Sequence, residues 1–396
     1  MFHVKQRRAP ALLAGIFLLG LLLMGCTRGT GPHGWAAPFE TDDFLVVATG
    51  KGHIDGLEGS DLDKAWRFPN DWEISEKAAR KLTAIYTTPV STTDAQGRDV
   101  VFIGDYNGYL YAFRPGDAGE GTTKPKAASL KLNGPVIGGI AFDSSTDTLY
   151  VSSGSRIFSV RAADMANRIS NSDDTVKYAQ LFETGGAIWS APVYASGKVY
   201  FGSLDGNVYA VDGVTGNELW HYDSGHPVVS VTLLGGVLIT SGFENQVVAL
   251  DPASGTEKWT LETANWVWTH AAGDANDVYL ADFDGNLYDV NLATGSVRWQ
   301  FDVGHGTIRA GPILASGTIV VGTDSGWLIG VDTAGSSKRW EKEIGTSVQA
   351  DLVAGAGSSV LIAPNGCVTP EGQTEKLYYT SVDARTGELE TASGVC

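Results

Sequence analysis

The stretch VYFGSLDGNVYAVDGVTGNELW, residues 199–220, decides the fold. Two short runs of β-branched and aromatic residues flank Asp205-Gly206, and a second turn follows at Thr215-Gly216 before Trp220. Asp-Gly between apolar runs is a hairpin signal, because the tight turn needs a residue that tolerates positive φ. Similar stretches recur at 239–259, 278–299 and 319–340, and Asp284-Gly285 repeats the hairpin signal. Anchored on Trp220, Trp259, Trp299 and Trp340, the copies are spaced by 39, 40 and 41 residues. Asp212, Asp251, Asn291 and Asp332 stand eight residues before these tryptophans. Gly216, Gly255 and Gly295 hold one offset between them, whereas the fourth copy has a shifted Gly335.

The copies extend upstream. Trp189 leads the unit that closes at Trp220, and Trp35 leads one that closes at Trp66, each 31 residues later. Trp268 to Trp299 is again 31. The corresponding leading positions read Trp35, Tyr86, Leu132, Trp189, Val228, Trp268, Arg309 and Val348, which makes eight units. Each unit holds four strands, a to d, with the tryptophan on d. Four-stranded units of about 40 residues predict propeller blades. The predicted fold is all-β, an eight-bladed β-propeller of four-stranded antiparallel blades over residues 35–396. The 50 glycines fit the many tight turns this requires, since average usage is roughly 7%.

The amino terminus has a different character. Lys5, Arg7 and Arg8 precede the apolar run ALLAGIFLLGLLLMG, which ends at Cys26. A basic start before a short apolar core describes a secretory signal over residues 1–25. Leu23-Met24-Gly25-Cys26 resembles a bacterial lipobox, which implies cleavage before Cys26 and a lipid on its sulfur. Residues 26–34 then form a tether. The alternative, an uncleaved anchor, has to meet a spanning requirement of about 20 apolar residues. The expected location is exported and lipid-anchored to the cell membrane or an outer membrane, facing the periplasm or the cell exterior.

Removing residues 1–25 takes away three positive charges and no acids, so the net charge moves from −17 to −20. Nucleic-acid binding requires clustered Lys and Arg, and this balance excludes it. Membrane contact is expected through the lipid only. With Cys26 lipidated, Cys367 and Cys396 remain, and an oxidising compartment favours pairing them over two free thiols.

Alternating strands place the b–c turns and d–a connections on one face, the top. Two insertions fall there, at 67–85 and 364–375, and blades eight, one and two make them one rim. Cys367 and Cys396 both belong to the top of blade eight, where a disulfide closing about 28 residues would contribute roughly 3 kcal/mol. The segments 115–126 and 162–177 read as long c–d loops on the bottom.

The motif Tyr209-Ala210-Val211-Asp212-x-x-Thr215-Gly216-x-x-x-Trp220 resembles the PQQ-like propeller repeat. Units four to six match it best, and the resemblance extends over nearly all of residues 35–391. It implies the fold, but the family spans enzymes, scaffolds and sensors, so it does not specify a function. Chain length, eight units and the lipobox are similar to the BamB-type lipoproteins of outer-membrane assembly. That similarity implies a non-enzymatic, monomeric scaffold for other envelope proteins, among them the β-barrel assembly machinery. The alternatives are a quinoprotein dehydrogenase using PQQ and Ca²⁺, or an extracellular ligand-binding sensor. Quinoprotein dehydrogenases often carry vicinal cysteines, and this chain has no adjacent Cys pair.

The candidate binding residues lie at the top mouth of the central channel: Trp189, His226, Trp266, Trp268, His305 and Arg309, with His270 one step inside. Aromatic faces suit a planar ligand, and His or Arg suits anionic groups. The bland reading is tryptophans packed between blades and solvated histidines in Gly-rich turns. No metal-ligand spacing stands out among these residues. The recurring aspartates read as turn residues, since a feature of most blades serves the turn. No catalytic residue is assigned, and the mature chain lacks GxSxG, P-loop and HExxH motifs.

Overall fold

Val199, Tyr200 and Phe201 are buried, and so are Val208 to Val211, so the inner strands of this unit have protein on both faces. The outer strand Glu218–Asp223 instead alternates exposed and half-buried residues, with one face to solvent. That contrast identifies stacked sheets, each covered by its neighbours except at the outer edge. The computed structural model describes residues 36–41, 44–49, 53–58, 63–68, 82–117, 127–172, 174–334, 337–363 and 379–393. They form eight four-stranded antiparallel sheets, each made of four consecutive strands. Blade four, for example, orders a (Val193–Ala195), b (Lys198–Gly202), c (Asn207–Asp212) and d (Glu218–Asp223). The fold is thus the eight-bladed propeller expected from the repeat.

Among the described residues no strand is exchanged between the first and last blades. The ring closes there by side-chain packing of Leu45, Val47, Leu57 and Leu361. Cys26, Cys367 and Cys396, the signal and tether segments, and most of the 67–85 and 364–375 rim lie outside the described residues. Among the described residues no helix is long and apolar enough to cross a membrane.

The tryptophan on strand d is an interblade clamp. Trp259 of blade five donates its indole N–H to Leu292 O of blade six at 2.8 Å. Trp220 reaches Pro252 O at 3.2 Å, and Trp340 reaches Ala384 O at 2.8 Å, each in the following blade. The acceptor always follows the repeat Asp or Asn. Asp212 Oδ1 itself accepts from the Val214 and Thr215 amides and the Thr215 hydroxyl, which holds the turn. Gly295 has φ 73°, and a Cβ there would fall 2.7 Å from the Trp259 ring. The repeat glycine therefore supplies both the left-handed turn and the seat for the neighbouring indole.

Strand c carries a small residue opposite each tryptophan: Gly56, Ala210, Ala249 and Gly330 face Trp66, Trp220, Trp259 and Trp340. Blade six departs, with Asp289 facing Trp299. Asp289 is 3% exposed, and neither its Oδ1 nor the Trp299 Nε1 has a hydrogen-bond partner. Burial, reinforced by Asp277, pushes the Asp289 carboxyl up to about 6. An unfolded Asp titrates near 3.9, so the folded state holds the extra proton between about pH 4 and pH 6. Stability therefore falls as pH rises through that window and stays lower above it. Asp289→Ala, which restores the repeat residue, is expected to raise stability at pH 7 by about 1–2 kcal/mol and to flatten the pH 4–6 slope. Urea unfolding at pH 4, 5, 6 and 7 checks this, and an unchanged slope would contradict it.

Two expectations need correction. Residues 162–177 are not simply a loop, because α1 (Ala162–Ser170) occupies the first half. Ala162, Met165, Ala166 and Ile169 lie on one helical face and join the core of blades two and three. The leading positions of blades three, five and eight are also displaced. The structure places Ile137, Val229 and Gln349 there rather than Leu132, Val228 and Val348. The residue just before each true leading position is itself a large apolar residue, fully buried between blades: Val136, Val228 and Val348. A hydrophobic pattern alone therefore settles one step early in blades five and eight.

Candidate functional site

Along each strand-a approach, one residue packs between blades and the next turns toward the axis. This alternation converges Tyr86, Ile137, Trp189, Val229, Trp268, Arg309 and Gln349 on a central cavity of about 360 Å³. All eight blades contribute to its wall, which opens at the top through Tyr106 and Gly154 of the b–c turns. Of the sequence-derived candidates, Trp189, Trp268, His270 and Arg309 line it.

The other three sit elsewhere on the rim. Trp266 packs between Phe243 and Phe283, with ring centroids 5.5 and 6.2 Å away. His226 pairs with Glu244 at 3.1 Å beside a shallow groove of blade five. His305 stacks on Trp327, centroids 4.0 Å apart, and contacts Glu341 at 2.7 Å.

Trp189 and Trp268 approach at 6.2 Å and share Phe243 as a neighbour. This half-buried aromatic group forms one side of the mouth, and Tyr86 with Tyr106, 6.0 Å apart, forms another. Arg309 makes an ion pair of 2.7 Å with Asp324, in the b–c turn of its own blade, and lies 5.2 Å over the Phe283 ring. Burial holds the Asp324 carboxyl above its ordinary value, against the pull of Arg309.

Deeper in the cavity, His270 Nδ1 lies 3.3 Å from Asp351 Oδ1, although they belong to blades six and eight. Gly311 of blade seven stands between them, and a Cβ there would fall 2.3 Å from His270 Cε1. The absence of that side chain lets the ring reach across a whole blade. The Gly311 amide donates to Asp351 at 3.2 Å. Burial disfavours the charged imidazole, but the Asp351 carboxylate more than offsets it and holds His270 above its ordinary value. Asp351 is held low in return, because His270 and the Gly311 amide outweigh the effect of burial. Asp351→Asn removes the charge that supports the imidazolium, so His270 is expected to titrate below its ordinary value of about 6.5. A ¹³C–¹H titration of the His270 Cε1 resonance checks this, and an unmoved midpoint would sink the assignment.

Sequence reading missed Asp351, Gln349, Thr269 and the two rim phenylalanines. A usable signal was present, because His270, Gly311 and Asp351 each stand two residues past a leading position. Placing the blade-eight position at Val348 instead of Gln349 hid that match. Among the described residues no group of three or more His, Cys, Asp or Glu could hold a metal ion.

Comparisons with known proteins bear on what such a ring does. The profile of a family described as "Outer membrane protein assembly factor BamB" matches residues 131–234 and 205–394. A protein of that name from Nitrosomonas eutropha is 26% identical over 158 residues, covering 39% of this chain and 38% of the relative. A polyvinylalcohol dehydrogenase from Sphingopyxis is 28% identical over 174 residues, covering 40% of this chain and 26% of that enzyme. The chain thus spans well under half the length of these curated relatives. The crystal structure of BamB from Moraxella catarrhalis superposes with a TM-score of 0.61 at 17% identity, over 83% of this chain and 91% of that one. At that identity the likeness concerns the fold.

Proposed function

The chain belongs to the family of the outer membrane protein assembly factor BamB, and from that premise we propose that it is a non-enzymatic scaffold of the cell envelope serving β-barrel assembly. The observation that carries this reading is the family match, which runs through blades three to eight. The physical design supports it. A ring of stacked sheets clamped blade to blade is a stiff support, and its top turns present aromatic and acidic side chains for another protein to meet. The export signal and lipobox read at the amino terminus would hold the ring at a membrane surface.

A second reading, a quinoprotein dehydrogenase using PQQ and Ca²⁺, has the polyvinylalcohol dehydrogenase match in its favour. The cavity chemistry fits it poorly. A quinone bearing several carboxylates needs uncompensated cations, and here Asp324 neutralises Arg309 while Asp351 neutralises His270.

Crosslinking of the full-length protein in its own cells, followed by identification of the captured chains, tests the scaffold. Recovery of a β-barrel assembly core is the expected result. Recovery of no stable partner, with unaltered outer-membrane protein levels after gene deletion, would overturn it. Dye reduction by the purified protein with added PQQ and Ca²⁺ would establish the second reading instead.

A further inference from the structure

The wall of the central cavity combines two kinds of surface. Trp189 and Trp268 present half-buried aromatic faces, and around them converge His270, Arg309, Asp351 and Thr269. The volume of about 360 Å³ falls within the range of roughly 300–1,000 Å³ usual for small-ligand sites. Thr269 is only 4% exposed, and its hydroxyl has no hydrogen-bond partner in the protein. A buried hydroxyl without a partner is costly to keep unless something else engages it.

The charges narrow the ligand class. His270 and Asp351 cancel within the cavity, and Asp324 cancels Arg309 from behind. A polyanion would meet no free positive charge, and a cation would have to displace an existing partner. A neutral ligand meets no such barrier. The same groups are rich in hydrogen-bonding capacity that their pairing does not exhaust: guanidinium N–H donors, carboxylate lone pairs, the second imidazole nitrogen and a hydroxyl. The ligand that suits them is uncharged, carries several hydroxyls and has an apolar face to lay on an aromatic ring. A pyranose has that form, because its axial C–H bonds make a flat apolar face while its hydroxyls point outward around the rim.

We infer that the top of the central channel is a binding site for an uncharged saccharide, seated on Trp189 and Trp268 with its hydroxyls met by Thr269, His270, Arg309 and Asp351. Because all eight blades enclose the cavity laterally, it receives a free mono- or disaccharide or the end of a polymer, and not the middle of a chain. The inference does not depend on the scaffold reading, since a ring can hold a sugar whichever protein its loops meet.

The test uses the full-length chain in a detergent without a sugar head group. Cellobiose and N,N′-diacetylchitobiose are titrated while tryptophan fluorescence and saturation-transfer NMR are followed. Saturable binding of either sugar is expected. Trp189→Ala should weaken it roughly tenfold, the equivalent of about 1.4 kcal/mol. Thr269→Val, nearly isosteric, should weaken it by several-fold and keeps the test intact if the tryptophan variant does not fold. Val214→Ser, at an exposed site in the c–d turn of blade four, should bind as the parent does. Co-sedimentation with insoluble peptidoglycan, competed by the disaccharide, would assign a polymer end as the source, and its failure a free sugar. Absence of saturable binding to folded protein would overturn the inference. So would undiminished binding by both cavity variants, or tighter binding of PQQ, taken as a planar polycarboxylate, than of either sugar.

Discussion

Trp259→Ala is expected to cost about 3–5 kcal/mol of folding stability, the range for deleting a buried aromatic side chain. Trp259 is 7% exposed and belongs to the core shared by blades five and six. The substitution removes its ring from the seat at Gly295 and strands the Leu292 carbonyl, which accepts the indole N–H at 2.8 Å. Trp259→Phe keeps much of the apolar contact and loses the hydrogen bond, so it should cost less, on the order of 1–2 kcal/mol. Gly295→Ala attacks the same contact from the other side, through a strained φ and a Cβ 2.7 Å from the ring. Because both changes break one contact, the double variant should lose less than the sum of the single losses. Urea unfolding followed by far-UV circular dichroism measures all four proteins. Additive losses, or a loss below about 1 kcal/mol for Trp259→Ala, would show that the clamp does not hold the ring.

Arg114→Met is expected to have the next largest effect, by a different mechanism. Arg114 is 2% exposed, and its guanidinium ties three parts of the chain together. It lies in ion contact with Asp94 at 2.9 Å, donates to Ala166 O at 2.8 Å and reaches Ser170 Oγ at 2.9 Å. The last two acceptors belong to α1, so Arg114 pins that helix beneath blade two. Removing it leaves the Ala166 carbonyl without its partner and leaves Asp94 with Arg98, 2.8 Å away, as its remaining arginine, which costs about 2–3 kcal/mol. Asp94→Asn should cost less in the Arg114→Met background than in the parent, because one of the two arginines that Asp94 pairs with is already gone.

The parent should also show an acid dependence. Burial acts to raise Asp94, but hydrogen bonds from Arg98 and Gln96, with the charge of Arg114, hold it below its ordinary value. Its folded pKa is therefore depressed, and the stability it contributes is present above about pH 4 and lost as pH falls further. Thermal unfolding between pH 2 and pH 7 should show that acid loss in the parent and a smaller one in the double variant. Equal acid profiles would show that the Asp94 charge does not matter.

Different parts of the molecule were legible to different degrees. Blades four to seven could be read because each carries its own turn chemistry within about 40 residues, with the turn aspartate or asparagine and the tryptophan at constant offsets. Blades two and three were harder, since neither ends in a strand-d tryptophan. The helical face Ala162, Met165, Ala166 and Ile169 lies in a segment that the sequence reading took for a loop, and what holds it is an arginine 52 residues earlier. Nothing near either segment announces that contact. The binding candidates divided in the same way. Trp189, Trp268, His270 and Arg309 reached the cavity because they occupy repeat-defined positions. His226 and His305 stand in the turn before those positions and pair with carboxylates on the rim.

By itself, then, the sequence determined the blade, its number and its order, because hairpins, turn aspartates and packing tryptophans act over a few residues and repeat. Ring closure decided which side chains share a cavity. His270 and Asp351 are 81 residues apart and meet only because the ring turns their two blades to a common axis and Gly311 leaves the space between them open. The charge balance of that cavity joins a pair within blade seven, Arg309 with Asp324, to one made across blades, His270 with Asp351. No local pattern encodes the second pair, since its geometry exists only once blades six, seven and eight have packed together.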